Sequence, residues 1–451
     1  MKILLVYPTA LDQTGAPVKY RKAYLPPLSL AIIDSLTPQR HVVKIVNDCV
    51  EQLDFDADFD LIGITALTAQ APRAYQIADA FRSRGKKVVL GGIHPSLMPA
   101  EAQAHADAVV IGEVEELWGE ILADSENNRL KGIYRNDQPP DLQRLIIPKW
   151  DKVNLTLYRR SLGPRHMPRM PIYTTRGCVH NCKFCSVSKF FGHRYRHKPI
   201  ENVLKELDAV RADSYFFVDD NIICNPDFSA ELFEALANKN IRWMSQATTT
   251  ILQHPHLIEL AAKAGCKSLF FGIESLNADN LKSVKKGFNH PEAYVELLER
   301  VDRAGIRPWL SVIVGLDHDD HRELKRTIAF LKDINIGSVV LWVLTPLPGT
   351  DLYEEMKRAG RILDTDWSRY DASRVVYQPL HFTPQELSDE FWEMYLELYS
   401  WPRVFRHTVR FLRSRRKPLS QLLVDLKLQY YTRVQLIDRT HPMAMGVQRV
   451  P

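Results

Sequence analysis

The sequence lacks several features that would place it in a common class of protein. Its 451 residues contain neither a Gly-x-Gly-x-x-Gly fingerprint nor a phosphate-binding loop of the Walker type, which disfavours a dinucleotide or nucleotide site. The longest apolar run, Val339 to Leu344, is far shorter than a bilayer-spanning segment. The first residues, Met1 to Pro8, match a short β-strand better than a signal peptide. We therefore expect a cytoplasmic protein.

The chain also has few cysteines and only a small net charge. Only six cysteines occur, which favours a reducing compartment over a disulfide framework. The net charge is +5, but residues 403–417 alone carry seven basic side chains and no acidic one, so the rest of the chain is slightly acidic. We therefore do not expect this larger part of the chain to bind nucleic acid. Hydrophobic residues at 45% and charged residues at 25% are typical of a soluble globular chain of two or three domains.

Three of the six cysteines lie together and are the most informative feature present. Cys178, Cys182 and Cys185 have the spacing Cys-x3-Cys-x2-Cys and follow an apolar, strand-like segment at 171–176. Three thiolates on one short loop can bind three irons of a cubane iron–sulfur cluster. Because no fourth cysteine is nearby in the sequence, one iron would stay open to a small-molecule ligand.

Two other interpretations of this segment stay open. One of the nearby histidines, at positions 180, 193 and 197, could complete a zinc site of the Cys3His type. Alternatively, the three thiols could simply be buried. The other cysteines are interpreted as buried structural thiols: Cys49, Cys224 and Cys266.

The order of strand and helix patterns predicts an α/β chain with two main domains. Residues 1–125 predict a doubly wound, Rossmann-like parallel sheet, which would bind ligands beyond the carboxyl ends of its strands. Residues 126–170 form a proline-interrupted connector. Residues 171–370 predict an open, partial (β/α)6 barrel with its first strand at 172–175 and its chemistry at the C-terminal strand ends. Residues 371–451 predict a small helical extension.

These features together resemble the cobalamin-dependent radical S-adenosylmethionine (SAM) enzymes. The cysteine spacing, with the aromatic Phe184 just before the third cysteine, is typical of the radical SAM superfamily. The C-terminal extension resembles that of a subset that includes hopanoid methylases. Four N-terminal stretches are similar to the cobalamin-binding domain that precedes many radical SAM barrels: YLPPLSLA at 24–31, DLIGITALTAQ at 60–70, VVLGGIHPSLMPAEA at 88–102 and ADAVVIGEVEELW at 106–118.

The resemblance implies three cofactors and a set of residues for each. Cys178, Cys182 and Cys185 would ligate a 4Fe-4S cluster whose open iron chelates SAM. The expected SAM contacts are Phe184, Asp219, Asp220, Gln246, Glu274, Ser275, Val312 and Gly315. The expected cobalamin contacts are Thr9, Thr65, Leu67, Thr68, Gly91, Gly92, Ile93, Gly112 and Glu113. The motif Asp-x-His-x-x-Gly is absent and His94 lies in another context, so cobalt ligated by histidine is not expected.

The function implied by the resemblance is radical C-methylation. A C-methyltransferase would use methylcobalamin and a 5′-deoxyadenosyl radical on an unactivated carbon of a small-molecule or lipid substrate. It would take electrons from a one-electron reductant such as flavodoxin or ferredoxin. The same cofactors also serve radical cyclisation, rearrangement and carbon–carbon coupling, which the motifs do not separate from methylation. A methylthiotransferase is disfavoured, because residues 1–170 hold only Cys49 and cannot bind a second cluster. From another class, a zinc-stabilised, non-catalytic cobalamin sensor remains an alternative.

The basic segment 403–417 predicts an amphipathic helix. In helical spacing, Val404, Phe405, Thr408, Val409 and Leu412 share one face, and Arg403, Arg406, Arg410 and Arg413 share the other. Such a helix could lie on an anionic membrane surface, which would place the protein on the cytoplasmic face of a membrane. It could equally dock on the barrel with its basic face in water.

Overall fold

The computed structural model describes residues 1–136, 138–160, 167–334, 338–414, 419–437, 439, 441 and 446–450. Within these residues, the chain forms two α/β domains followed by a mostly helical C-terminal region. The fold class predicted from the sequence is confirmed.

The first domain is built on a sheet of six parallel strands. Its central strands are apolar and buried on both faces, as expected for a sheet covered by helices on both sides. The strands up to residue 135 are β1 (Lys2–Tyr7), β2 (Lys19–Ala23), β3 (Val42–Asn47), β4 (Leu61–Thr65), β5 (Lys87–Gly91), β6 (Ala108–Ile111) and β7 (Ile133–Arg135). The helices are α1 (Leu28–Leu36), α2 (Ala71–Arg82), α3 (Ile93–Leu97), α4 (Pro99–His105) and α5 (Trp118–Glu126), with a 3-10 turn at Thr68–Gln70.

The strand order in this sheet is β3-β1-β4-β5-β6-β7. The chain leaves β1 towards one edge and returns on its other side at β4, so the topological switch point lies between these two strands. The last strand, β7, lies within the segment expected to be a connector, and the sheet therefore continues past residue 125.

The second domain is an open barrel of six parallel strands in the order β8-β11-β12-β13-β14-β15. Its strands are β8 (Met170–Ile172), β9 (Thr175–Arg176), β10 (Arg196–His197), β11 (Ser214–Phe217), β12 (Arg242–Ala247), β13 (Cys266–Glu274), β14 (Arg307–Val314) and β15 (Ser338–Val343). Its helices are α6 (Ser186–Phe191), α7 (Ile200–Val210), α8 (Pro226–Ala237), α9 (His256–Lys263), α10 (Ala278–Ser283), α11 (Tyr294–Arg303), α12 (His321–Asp333) and α13 (Asp351–Arg358). Short 3-10 turns lie at Leu155–Leu157, Thr249–Gln253, Pro291–Ala293 and Trp367–Arg369.

The first barrel strand differs from its prediction at 172–175. The parallel strand β8 ends at Ile172, and Thr175–Arg176 instead pairs antiparallel with Arg196–His197. The carboxylate of Asp219 explains the change of direction, because it accepts hydrogen bonds from the backbone N–H groups of both Thr174 and Thr175. The two-stranded ribbon encloses the cysteine loop at its base.

The C-terminal region contains α14 (Pro384–Leu398), α15 (Trp401–Ser414), α16 (Leu419–Ile437) and β16 (Gly446–Val450). The apolar face of α14 packs onto the barrel, where Phe391, Tyr395 and Leu398 join the main core. The backbone of β16 returns to the first domain and pairs antiparallel with β2, a contact that the helical pattern did not predict. No helix among the described residues is long and apolar enough to cross a membrane.

Helix α15 does not have the two faces that its sequence pattern predicts. Arg403 is 4% exposed and donates hydrogen bonds to the carbonyls of Leu398 and Leu331, while Val404 is also buried. In contrast, Phe405 and Leu412 of the predicted apolar face are 70% and 50% exposed. Val404 and Phe405 are adjacent in sequence, and only Val404 is covered by other residues. The side chain of Arg413 lies outside the described part of the chain.

Candidate active site between the two domains

A cavity of about 340 Å³ lies where the two domains meet. The first domain lines it with Thr65, Gly91 and Gly112 at the ends of β4, β5 and β6, and the barrel lines it with Thr175 and Asp220. The cavity therefore joins the C-terminal strand ends of both sheets, which is where ligands of such sheets bind.

On the first-domain side, the cavity extends along the sheet beneath α1 and α5. Its wall here is apolar and includes Leu5, Val110 and Trp118. Two glycines on the sheet create the space. A Cβ atom at Gly63 would lie 2.9 Å from a methyl group of Leu5, and one at Gly91 would lie 3.7 Å from Cβ of Val110. This slot is the part of the cavity formed by the strands for which the sequence predicts cobalamin contacts.

The predicted cobalamin residues separate into two groups. Thr65, Gly91, Gly92, Gly112 and Glu113 all line the cavity. Gly92 has φ of 97°, and a Cβ there would lie 2.7 Å from Oγ1 of Thr65 and 2.8 Å from the backbone nitrogen of Ala66, so that close approach requires glycine.

The other group lies outside the lining, although all of its members are within the described chain: Thr9, Leu67, Thr68 and Ile93. Thr9 is buried and donates a hydrogen bond to the carbonyl of Val18. Leu67 is 46% exposed. Its backbone N–H is held by the side chain of Gln70, which also donates to the carbonyl of Pro8.

His94 is directed away from the cavity. It is fully buried, and its Nε2 atom lies 3.3 Å from the carboxylate of Glu101. Trp367, which follows the barrel, donates its indole N–H to the same carboxylate at 2.9 Å. His94 therefore belongs to a structural contact between the two domains. It is not placed to bind cobalt from this cavity.

The cysteine loop follows β9 directly and leads into α6. Gly177 starts the loop with φ of 83°, a left-handed conformation that favours glycine. Cys178, Cys182 and Cys185 are all free and partly buried. Burial raises the pKa of Cys182 to about 11, so the thiol stays protonated until an iron ion displaces its proton. The cavity lining includes Arg176, directly before the cysteine loop, and Phe190 and Phe191 after it, but none of the three cysteines.

Cys224 was expected to be a buried structural thiol, but it is only partly buried and lies against Cys178. The hydrogen bond between the two thiols raises the pKa of Cys178 and lowers that of Cys224 to about 7. Cys49 and Cys266 are buried as expected.

The structure shows no preformed site for the alternative of a single zinc ion. No three His, Cys, Asp or Glu side chains within the described ranges converge as a mononuclear metal site requires. In a cubane cluster, each thiolate would bind a different iron. The ring of His180, the nearest candidate zinc ligand in sequence, stacks on Phe288 with centroids 3.8 Å apart.

The two predicted carboxylates at the end of β11 have different surroundings. Asp219 is fully buried, and its carboxylate is occupied by Thr174 and Thr175 through their N–H and hydroxyl groups. Asp220 lines the cavity and accepts a hydrogen bond from the N–H of Gly177 at 3.2 Å. Burial raises the pKa of Asp220 to about 6. Asp219 therefore shapes the strand before the cysteine loop, and Asp220 is the carboxylate that faces the cavity.

At the end of β13, Glu274 interrupts the regular strand. It has φ of 61°, and the pairing register with β14 shifts at this point. This strained conformation brings its carboxylate to Nζ of Lys286 at 2.6 Å and to the hydroxyl of Ser311 at 3.1 Å. Ser275 follows and accepts a hydrogen bond from the N–H of Asn277. Sequence reasoning missed Lys286, which becomes recognisable only as the partner of Glu274.

The other predicted SAM residues lie on the same barrel strands or the cysteine loop. Gln246 lies near the end of β12, and its carbonyl accepts from the N–H of Ile222. Val312 is buried in the core. The N–H of Gly315 donates to Asp319 at 2.8 Å. Phe184, on the cysteine loop, packs against the barrel core. Asp319 anchors the segment after β14, and burial raises its pKa to about 7.

A buried group of ion pairs connects the cysteine loop to the first domain. Arg176, directly before the loop, pairs with Glu113 and Glu115, and Arg196 also pairs with Glu113. The guanidinium of Arg176 lies 4.2 Å from the ring centroid of Tyr173. Glu113, predicted as a cobalamin contact, thus uses its carboxylate to connect the two domains.

Comparisons with known proteins agree with this geometry. Residues 17–122 match the model of the B12 binding domain, and residues 172–331 match that of the radical SAM superfamily. The bacteriochlorophyllide d C-8(2)-methyltransferase of Chlorobaculum tepidum is 30% identical over 92% of this chain and 94% of its own length. The hopanoid C-2 methylase of Rhodopseudomonas palustris is 25% identical over 76% of this chain and 66% of its own length.

A solved structure shares the fold. The radical SAM methyltransferase TsrM of Kitasatospora setae, determined with cobalamin and a [4Fe-4S] cluster, aligns with a TM-score of 0.62 at 18% identity, covering 86% of this chain and 85% of its own. Two α/β domains that meet at a cavity, with a three-cysteine loop directly after the lining residue Arg176, are the arrangement expected of a radical SAM enzyme with an added cobalamin domain. The chain belongs to the cobalamin-dependent radical SAM methyltransferases, and its cofactors are a [4Fe-4S] cluster, SAM and cobalamin.

Proposed function

We propose that this enzyme transfers a methyl group to an unactivated carbon of a large, mostly apolar small molecule or lipid. The observation that carries the proposal is the continuous cavity between the two domains, whose wall combines the first-domain slot with Tyr173, Phe190, Phe191 and Val218 of the barrel. Relatives named for bacteriochlorophyllide and for hopanoids support a ring-rich, apolar substrate class.

The bound cofactors supply one-electron cleavage of SAM and a carrier for its methyl group. The protein supplies binding, orientation and exclusion of water. In the proposed arrangement, Cys178, Cys182 and Cys185 hold the cluster, and Asp220 accepts a hydrogen bond from the SAM amino group. Phe190 and Phe191 of α6, whose rings meet edge to face with centroids 4.8 Å apart, shield the reacting carbon from solvent.

For each methyl group transferred, one SAM gives 5′-deoxyadenosine and methionine and a second SAM gives S-adenosylhomocysteine. The substrate hydrogen passes to 5′-deoxyadenosine, and two electrons are consumed. We propose a small one-electron carrier such as a flavodoxin or ferredoxin as their source.

The test is an anaerobic assay of the reconstituted enzyme with bacteriochlorophyllide d and a hopanoid as probe substrates. Mass spectrometry should find 5′-deoxyadenosine and S-adenosylhomocysteine in equal amounts, together with a methylated product. Formation of 5′-deoxyadenosine alone, with a cyclised or rearranged product, would favour the other radical chemistry open to this family.

We further propose that the C-terminal helices contact an anionic membrane surface. On α15, Trp401, Phe405 and Leu412 are 54%, 70% and 50% exposed, and α16 exposes a second stripe that includes Leu423 and Ile437. Exposed aromatic and aliphatic side chains beside arginines suit the interface of an anionic bilayer. Such a contact would bring the enzyme to an apolar substrate dissolved in the membrane.

Sedimentation with vesicles tests this contact. The wild-type enzyme should sediment with vesicles that contain phosphatidylglycerol and less with phosphatidylcholine alone. F405S and R406E should reduce binding, whereas V295S, which removes an exposed apolar side chain from α11 (46% exposed), should not. Equal binding by F405S, R406E and wild type would contradict the proposal, as would self-association that F405S abolishes without any vesicle binding.

A further inference from the structure

The segment after α10 forms a second support for the cysteine loop. The N–H of Lys183 donates to the carbonyl of Val284 at 3.0 Å, and the ring of Phe288 stacks on His180. The side chain of Asn289 donates to the carbonyls of Gly272 and Ile273. This segment is therefore fixed between the cysteine loop and the end of β13, and Lys286 lies at its centre.

The ammonium group of Lys286 is buried at this position. The residue is 8% exposed, its Nζ atom is 2.6 Å from Glu274, and it lies 5.8 Å from the ring centroid of Phe184 on the cysteine loop. Phe184 lies between Cys182 and Cys185 in the sequence, so the ammonium group of Lys286 is beside the loop that carries the three thiols. A charge at this place also acts on a cluster that the loop ligates.

We propose that Lys286 is a positioning residue that sets the reduction potential of the cluster bound by Cys178, Cys182 and Cys185. Reduction by the one-electron carrier adds one negative charge to the cluster, and a buried cation favours the more negative state. Glu274 holds the ammonium in place and offsets part of its charge. This inference depends on the proposed function only in that the loop must bind the cluster.

Three variants separate charge from structure. K286M removes the cation. At a given applied potential, it should lower the ratio of reduced to oxidised cluster about tenfold. For a one-electron couple, this corresponds to a fall of about 59 mV in the reduction potential. E274Q keeps the lysine and removes its counter-charge, so it should shift the ratio in the opposite direction. K286R keeps the positive charge, so its ratio of reduced to oxidised cluster should stay within about twofold of the wild-type ratio.

Lys285 provides a matched control. It neighbours Lys286, but its side chain is 47% exposed and its Nζ atom pairs with Asp351 at 3.3 Å. Because water screens its charge, K285M should leave the potential unchanged.

The measurement is a redox titration of anaerobically reconstituted holoenzyme, followed by electron paramagnetic resonance, with iron content as a check on cluster assembly. An unchanged ratio in K286M would overturn the proposal, as would shifts of the same sign in K286M and E274Q. If K286M fails to hold iron, the E274Q variant becomes the deciding test. A ratio of reduced to oxidised cluster that does not rise in E274Q would then overturn the proposal. Absence of a cluster from the wild-type protein would instead contradict the proposed function.

Discussion

The two domains form the halves of one cavity by opposite means. On the first-domain side, the space exists where side chains are missing, at Gly63 and Gly91. On the barrel side, the wall contains the charged side chains of Arg176 and Asp220, and Arg176 meets the carboxylates of Glu113 and Glu115 at the rim of the first domain. This difference suits the proposed ligands. A bulky, nearly neutral cofactor requires shape, whereas a cluster and SAM, which change charge during the reaction, require placed charges.

The largest effect is expected on the barrel side from the cysteines. C182A removes one of three cluster ligands, so bound iron and 5′-deoxyadenosine formation should both fall to background. Iron analysis and mass spectrometry measure this. C266A alters a thiol in the barrel core and should retain iron. If C182A holds a normal cluster, the loop is not its binding site.

Filling the first-domain slot with a larger side chain should weaken cobalamin binding without affecting the cluster. G91V fills the slot, while the nearest atom to its Cβ, on Val110, leaves ordinary contact space at 3.7 Å. We expect the Kd for cobalamin to rise at least about tenfold with iron content unchanged. Equilibrium dialysis measures the Kd. G119A on α5, where nothing lies within 4 Å of the new methyl group, is the control. Equal cobalamin binding by G91V and wild type would exclude the slot as the binding site for cobalamin.

The ion pairs between the domains should matter for stability. R176M leaves Glu115 without its ion-pair partner and Glu113 with Arg196 alone, and we expect the free energy of unfolding to fall by about 3 kcal/mol. The double variant R176M/E115Q removes the unpaired charge and should recover part of this loss. Urea unfolding followed by circular dichroism measures both. A single variant as stable as wild type would show that Arg176 does not connect the domains.

The smallest effect concerns pH. Burial raises the pKa of Asp220 to about 6, so the folded protein keeps this proton at pH values where the unfolded chain has released it. Asp220 therefore favours folding most below pH ~4, and this contribution is lost as the pH rises towards ~6. D220N removes this titrating group, so between pH ~4 and ~6 the free energy of unfolding of D220N should change by about 1 kcal/mol less than that of wild type. Unfolding midpoints of the apoprotein between pH 4.5 and 7.5 test this. Parallel profiles for D220N and wild type would contradict it.

The sequence predicted the features that depend on local pattern. The parallel sheets follow from apolar strands that alternate with helices, and the cysteine loop follows from its spacing and its position after a strand. The glycines at 91, 92 and 112 line the cavity, as their positions at strand ends predicted. Their contact with cobalamin stays a prediction.

Partners distant in sequence could not be predicted in this way. Lys286 is 12 residues from Glu274, and Arg176 is 63 residues from Glu113. Cys224 lies beside Cys178 because β11 and β8 are neighbours in the barrel. For α15, the helical period was correct, but the direction of the barrel relative to the helix decided that Arg403 is buried and Phe405 is exposed. That direction is a tertiary property.

Isotope labelling tests the central claim that one cavity serves both radical formation and methyl transfer. The enzyme would be supplied with SAM that carries a trideuterated methyl group and, in a second reaction, with substrate deuterated at the methylated carbon. We predict a product that retains the intact trideuteromethyl group in the first reaction and transfer of one substrate deuterium into 5′-deoxyadenosine in the second. A methylated product formed without deuterium in 5′-deoxyadenosine, or deuterated 5′-deoxyadenosine without a methylated product, would contradict the account.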